Sequence, residues 1–282
     1  MISRMVLNNV RNKLEQLGFE DVEDLFVSSV SDEVWTLKCY CKNKEYIIRF
    51  YNSLDGDKIA SKYLVMEKFG IDNINHIVEN NMVIFEQNED EYREVFENDL
   101  KDENVIKSLA NWYKRLHSIE NFGLKADDNF TKENILEISE NFGLKKNESL
   151  VYIYNNFDNI KLKLSRLDKV VVLDCFSLEH LRISGFSKSV IVSNFDCLKI
   201  GNRYKDLRLI FNCLDEKSKN IFLSVYGKIN EEEILLDRVY NVVVTLYLAT
   251  REKEFPDWAK ESLAALNDEK FLCDVKCLVE WC

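Results

Sequence analysis

Proline is nearly missing from this 282-residue chain: Pro256 stands alone, and glycine occurs only eight times. Such sparse punctuation excludes collagen-like, Pro-rich and Gly/Ser-linker sequence, and no internal repeat or low-complexity tract breaks the chain. Long apolar runs are missing too. The longest apolar patches, "VVVL" and "VYNVVVTLYLA", fall short of the roughly 20 residues that a membrane span needs. The N-terminus, "MISRMVLNNVRNKLEQLGF", reads as an amphipathic helix with charges throughout, without the apolar stretch of a signal peptide. Basic charge is in deficit, with 38 Lys and Arg against 49 Asp and Glu and a net charge of −11. Phosphate polymers and anionic membranes need a basic counter-surface, so neither nucleic acid nor membrane is expected as a partner. The eight cysteines form no CxxC unit, and without export they read as reduced thiols in the cytoplasm. Cys273 and Cys277 lie one helical turn apart with no His nearby, which favours a buried face over a metal site.

What is present is ordinary globular sequence, 46% hydrophobic and 31% charged, with ample length for a large core. After a helix over about residues 3–17, the next 70 residues read as β-rich. "LFVSSVS" is one strand, and "VWTLKCYC" and "KEYIIRFYN" form a hairpin around Lys42-Asn43-Lys44. The helix "DGDKIASKYLVMEKFG" places Ile59, Tyr63, Met66 and Phe69 on one stripe, with Gly70 as its C-cap. Two short strands, "NHIVEN" and "MVIFEQ", follow. The acidic stretch "EQNEDEYRE" then marks a lobe boundary near residue 87. Beyond it the chain is mostly helical: "DENVIKSLANWYKRLHSIE", "FTKENILEISENF", a long "ESLVYIYNNFDNIKLKLSRL", and helices at about 204–213, 216–226, 231–250 and 257–281. One β insertion interrupts them at about 169–199. The pattern predicts a two-lobed α+β fold, with a small β-rich N-lobe over 1–87 and a larger helical C-lobe over 88–282.

Four stretches carry a resemblance in their order and spacing: "EYIIRFYN" with the helix after it, "LANWYKRLHSI", "VVVLDCFSLEHLRI", and "VSNFDCLKIGNRYKDLRLIF". Together they resemble the aminoglycoside phosphotransferase and choline kinase branch of the kinase-like superfamily. The resemblance implies a protein-kinase-like fold with ATP and magnesium as cofactors. Phosphoryl transfer there needs a cation on the ATP phosphates, carboxylates on the metal and an aspartate orienting the attacking hydroxyl. The family's strand lysine, paired with a glutamate on the next helix, falls here on Arg49. Near the glutamate position stand Ser61 and Lys62, with Asp57 too early. The family's catalytic loop, H-x-D-x-x-x-x-N, is anchored by Phe176 and Leu181, which match its apolar residues. Histidine then falls on Leu173, the aspartate on Cys175 and the metal-binding asparagine on His180. A register one residue over promotes Asp174 to the base, puts Glu179 on the asparagine position and spoils both anchors. The metal-binding triplet reads Asn194-Phe195-Asp196, with a neutral amide in place of its leading carboxylate. Asp206, in "RYKDLR", matches an aspartate that looks structural.

Each replaced group usually contributes a factor of about 100 or more in rate, so together they predict negligible turnover. The resulting expectation is a kinase-like protein without transfer activity, binding a small molecule or a protein partner in the inter-lobe cleft. The alternative is a divergent ATP/Mg-dependent kinase acting on an aminoglycoside-, choline- or sugar-like hydroxyl. It would use Asp174 or Asp196 in altered geometry, and a different activity on the same scaffold is a third reading. Cys175 reads as a small filler rather than a nucleophile, since its only sequence-near histidine is His180. His180, Asn194 and Asp196 form an unusual ligand set for a metal. His117 reads as a packing or capping residue at a helix end. The acids of "EQNEDEYRE", "ADDNF" and 230–237 offer either a cleft for a cation or, more commonly, a solvated face.

Overall fold

A computed structural model describes residues 4–30, 34–51, 56–68, 76–79, 81–87, 92–119, 124, 130–174, 176–192, 195 and 197–280. Its elements run α1 (Arg4–Gln16), β1 (Glu23–Val30), β2 (Val34–Cys41), β3 (Lys44–Tyr51), α2 (Gly56–Lys68), β4 (His76–Glu79), β5 (Met82–Gln87), β6 (Tyr92–Glu94) and α3 (Glu103–Leu116). They continue as α4 (Lys132–Asn141), α5 (Glu148–Asn155), α6 (Phe157–Arg166), β7 (Val170–Val172), β8 (Leu181–Ser184), β9 (Val190–Val192) and β10 (Lys199–Gly201). Helices α7 (Tyr204–Cys213), α8 (Glu216–Tyr226), α9 (Glu231–Ala249), α10 (Lys260–Leu266) and α11 (Glu269–Glu280) complete the chain. The chain groups into two compact units. The first is Met1–Phe122, Leu173–Leu198 and Leu209–Tyr226; the second is Gly123–Val172, Lys199–Arg208 and Gly227–Cys282.

In the first unit an antiparallel sheet runs in the order β1-β2-β3-β5-β4. Lys42 and Asn43 both take positive φ between the paired Cys41 and Lys44, the two-residue turn that matches strand twist. Alternation then sorts the side chains. Leu37, Cys39, Cys41, Ile48 and Ile84 face α1 and close a core on Val10 and Leu14. Burying each of those α1 side chains is worth about 1.5–3 kcal/mol. Helix α1 stops at Gly18, whose φ of +85° lets its own N–H reach Glu15 O and the N–H of Phe19 reach Leu14 O. Burial pushes the Cys39 thiol up to about 11, which keeps it protonated. Beyond the sheet, β6, β8 and β9 form a second antiparallel sheet. Arg93 of β6 grips Asp99 through two 2.7 Å bonds, which hold that carboxyl at about 2. Helix α3 buries Val105, Leu109, Trp112 and Leu116, and its Ser108 Oγ accepts from Val190 N of β9 at 2.8 Å.

In the second unit β7 pairs antiparallel with β10. Gly201 belongs there because a Cβ at that position would lie 2.9 Å from Val172 Cγ2. Helices α4, α5, α6, α9, α10 and α11 close a single apolar cluster that includes Phe130, Ile153, Phe157, Leu236, Val243 and Phe271. Among the described residues no helix is long and apolar enough to cross a membrane.

The structure departs from the sequence expectations in three places. The helix expected over 148–167 is two, because Asn156 leaves helical geometry at φ −110°, ψ 13°. The helix expected over 257–281 divides at Asn267 into α10 and α11. Strand β6 lies inside the acidic stretch, paired to β8 from Tyr92 opposite Ser184. The expected cap Gly70 lies outside the described residues.

Candidate functional site

Strand β3 sets the first side chain. Ile48 pairs with Leu37 and Ile84 on the α1 side, so Arg49 faces the other way, opposite Thr36 and Val83. There its Nη1 donates to the Tyr63 hydroxyl of α2 at 3.0 Å, and its guanidinium lies 5.9 Å from the Phe85 ring centroid. Arg49 is thus half-buried and bonded across to α2 rather than a strand residue facing solvent. Tyr63 is fully buried and meets Phe85 edge-on at 5.4 Å. It also meets Phe195 at 5.3 Å and 75°, and the Phe195 ring stacks on Trp112 of α3 at 6.3 Å and 12°. Trp112 Nε1 is buried and has no hydrogen-bond partner among the described residues. Sequence reasoning passed over Tyr63 because it sits on an apolar stripe. Its signal was the phenol itself, an aromatic body with a polar tip that needs a partner when buried.

The second group follows β7. Leu173 is 1% exposed, a core residue. Asp174 is half-buried and takes φ +50°, a left-handed conformation that short polar residues tolerate and β-branched ones do not. Phe176 packs toward Tyr113 of α3 with ring centroids 6.4 Å apart. Ser177 opens a 3-10 turn over Leu178–His180, its Oγ accepting from Glu179 N at 3.4 Å. His180 closes that turn through its N–H to Ser177 O at 3.0 Å, and Leu181 enters β8 fully buried. Cys175, Asn194 and Asp196 lie outside the described residues. The backbone at Asp174 makes a separable expectation. Asp174→Gly should be neutral in denaturant unfolding, whereas Asp174→Val should cost about 1–2 kcal/mol. Equal midpoints for Val and Asp would remove the backbone reason for this residue.

No family model matches the chain, and no curated protein matches it. Solved structures do. The choline kinase LicA from Streptococcus pneumoniae superposes with a TM-score of 0.60 at 14% identity, covering 99% of this chain and 100% of its own. The streptomycin–ATP–APH(2″)-IIa ternary complex gives 0.62 at 16% identity, covering 92% and 95%. Macrolide 2′-phosphotransferase type I gives 0.61 at 13% identity, covering 99% and 98%. The fold is the kinase-like fold of these phosphotransferases. A small antiparallel sheet and a larger helical part agree with the α+β, kinase-like fold class expected from sequence.

Elsewhere in this kinase-like chain the structure corrects one expectation. Glu233 and Asp237 neither line a cleft for a cation nor face solvent. Both are buried, at 4% and 3% exposure. Glu233 takes a bidentate grip from Arg203, Nε to Oε1 at 3.2 Å and Nη2 to Oε2 at 3.0 Å, and Asp237 accepts from Arg208 Nε at 3.0 Å. Glu232 reaches Lys163 at 3.6 Å. These acids fasten α9 to α7 and α6. Asp206 is fully buried at the first turn of α7. His117 caps α3 and shares a 2.6 Å hydrogen bond between its Nδ1 and Tyr226 Oη, as a packing residue at a helix end would. Among the described residues no group of three or more His, Cys, Asp or Glu is placed to hold a metal ion.

Proposed function

We propose that this chain is a kinase-like protein that has lost phosphoryl transfer and acts by binding, holding a small molecule or a protein partner against β3, α2 and the loop at 173–180. Leu173 carries the reading. At the position the resemblance assigns to histidine stands a hydrocarbon side chain at 1% exposure, so a place for chemistry has become a place for packing. The metal side supports it. Magnesium takes oxygen ligands in near-octahedral geometry, and the set His180, Asn194 and Asp196 offers an imidazole, a neutral amide and one carboxylate. That donor chemistry does not fit a magnesium ion beside a triphosphate.

In this reading residues 1–87 form the nucleotide-side lobe and 88–282 the other, and the protein works in the cytoplasm with its thiols reduced. LicA has been solved with AMP, and APH(2″)-IIa with streptomycin and ATP, so the fold itself accommodates nucleotides. Here nucleotide binding should be weak and independent of magnesium. The half-buried carboxylate of Asp174, one residue past Leu173, favours the alternative of a divergent kinase with Asp174 as base.

A thermal melt with millimolar ATP, with and without magnesium, separates the two. Ligand at about 100 times Kd adds about 2.7 kcal/mol of stability. The expected result is no magnesium-dependent rise in Tm. A clear rise, or phosphate transfer to a hydroxylated or amino compound, overturns the proposal.

A further inference from the structure

The Tyr63 oxygen is met from two sides. Arg49 Nη1 donates to it from β3 at 3.0 Å, and the backbone N–H of Phe195 donates to it at a longer 3.4 Å. That N–H belongs to the peptide joining Asn194 to Phe195, the middle of the triplet. The contact is buried, and a buried backbone donor needs an acceptor. Here a side chain of α2 supplies it. The rings reinforce the same link, with Phe195 edge-on to Tyr63 on one side and stacked on Trp112 on the other.

We propose that Tyr63 is a positioning residue, a latch whose single oxygen fastens Phe195 to α2 and to the Arg49 guanidinium with no ligand required. The proposal rests on reading β3, α2 and the triplet as the site. A hydroxyl oxygen has two lone pairs, and these two donors address both. Phe195 is therefore a fixed point in the ligand-free protein. A nucleotide is not needed to set that point.

Tyr63→Phe keeps the ring and removes only the oxygen. Amide hydrogen exchange of the ligand-free, full-length protein reads the result residue by residue. The Phe195 amide is expected to exchange at least tenfold faster in Tyr63→Phe, while the ladder amides of Ile48 and Val83 change by less than twofold. Arg49→Met should give a smaller rise at Phe195, since Tyr63 keeps its second donor. With 5-fluorotryptophan, the Trp112 resonance should move in both variants, because its ring stacks on Phe195. A Phe195 rate that stays at the parent value, or rises only in step with Ile48, overturns the latch and leaves Tyr63 as packing. If Tyr63→Phe does not fold, Arg49→Met decides alone: a Phe195 rise above that of Ile48 supports the latch, and none refutes it. The exchange is measured without nucleotide. Phosphate transfer by the parent protein would therefore refute the proposed function and leave this result standing.

Discussion

Glu233→Ala is expected to lower stability by about 2–3 kcal/mol. The carboxylate is buried and bidentate on Arg203, so its removal leaves a guanidinium without the group that offset its desolvation. Breaking a fully buried pair costs about 3–5 kcal/mol, and the 30% exposure of the Arg203 side chain lets water recover part of that. For a chain of this size each kcal/mol shifts Tm by roughly 2–4 °C, so a fall of about 5–10 °C should appear in a melt. Glu233→Gln should lie between, keeping shape and one hydrogen bond. Glu233→Leu with Arg203→Leu should recover most of the loss, because replacing both charges removes the desolvation cost together with the attraction. A fall under about 1 °C for Glu233→Ala would return these acids to the solvated-face reading.

The second large effect is a gain. His180→Asn with Asn194→Asp should restore magnesium-dependent ATP binding without restoring transfer. The first replaces a nitrogen ligand by a carbonyl oxygen, and the second supplies the anionic oxygen that a hard cation prefers. Calorimetric titration of ATP should show magnesium-dependent binding for the double variant and no magnesium dependence for the parent. At about 100 times Kd that binding adds about 2.7 kcal/mol in a melt. Transfer is expected to stay absent because Leu173 and Cys175 still stand where the resemblance puts the histidine and the base. Cys175→Asp alone should yield no base either, since a second carboxylate beside Asp174 resists ionisation. Identical titrations of parent and double variant would mean either that the register lies one residue over or that the cleft is closed for another reason. With the register one residue over, Asp174, not Cys175, is the residue to test.

The hairpin of β2 and β3 could be read from sequence because the first strand alternates, the second has an apolar centre, and Lys42-Asn43 sits where a two-residue turn falls. Helix α3 was legible because seven buried residues recur at helical spacing over four turns. Strand β6 was not. Three residues carry no period, and Tyr92–Glu94 forms a strand only because β8 lies opposite to receive it. The break between α5 and α6 has no proline or glycine to announce it, and two asparagines continue an apolar stripe on both sides. In the site, Arg49 was found by its place on a strand, a local property. Its partner Tyr63 was missed because the search was for a carboxylate near residues 61 and 62. Which face of α2 meets β3 is a tertiary fact that spacing does not hold. Glu233 and Asp237 show the same limit, since an acid run looks alike in sequence whether water or arginine faces it.

The apolar core under α1 draws only on residues between Val6 and Ile84, so it can close while the rest of the chain is still being synthesised. Helix α3 cannot finish in that way. Its Lys114 and His117 bind Val225 and Tyr226, at the far end of α8. The stretch between them includes all of Gly123–Val172, which belongs to the other unit. Translation supplies about 5–20 residues per second, so roughly a hundred residues must pass before α3 meets α8, a delay on the order of 5–20 s. Through that interval the apolar face of α3 waits on the ribosome without its last partner. A nascent chain halted before residue 226 should therefore protect the α1 core from protease while leaving α3 open to it.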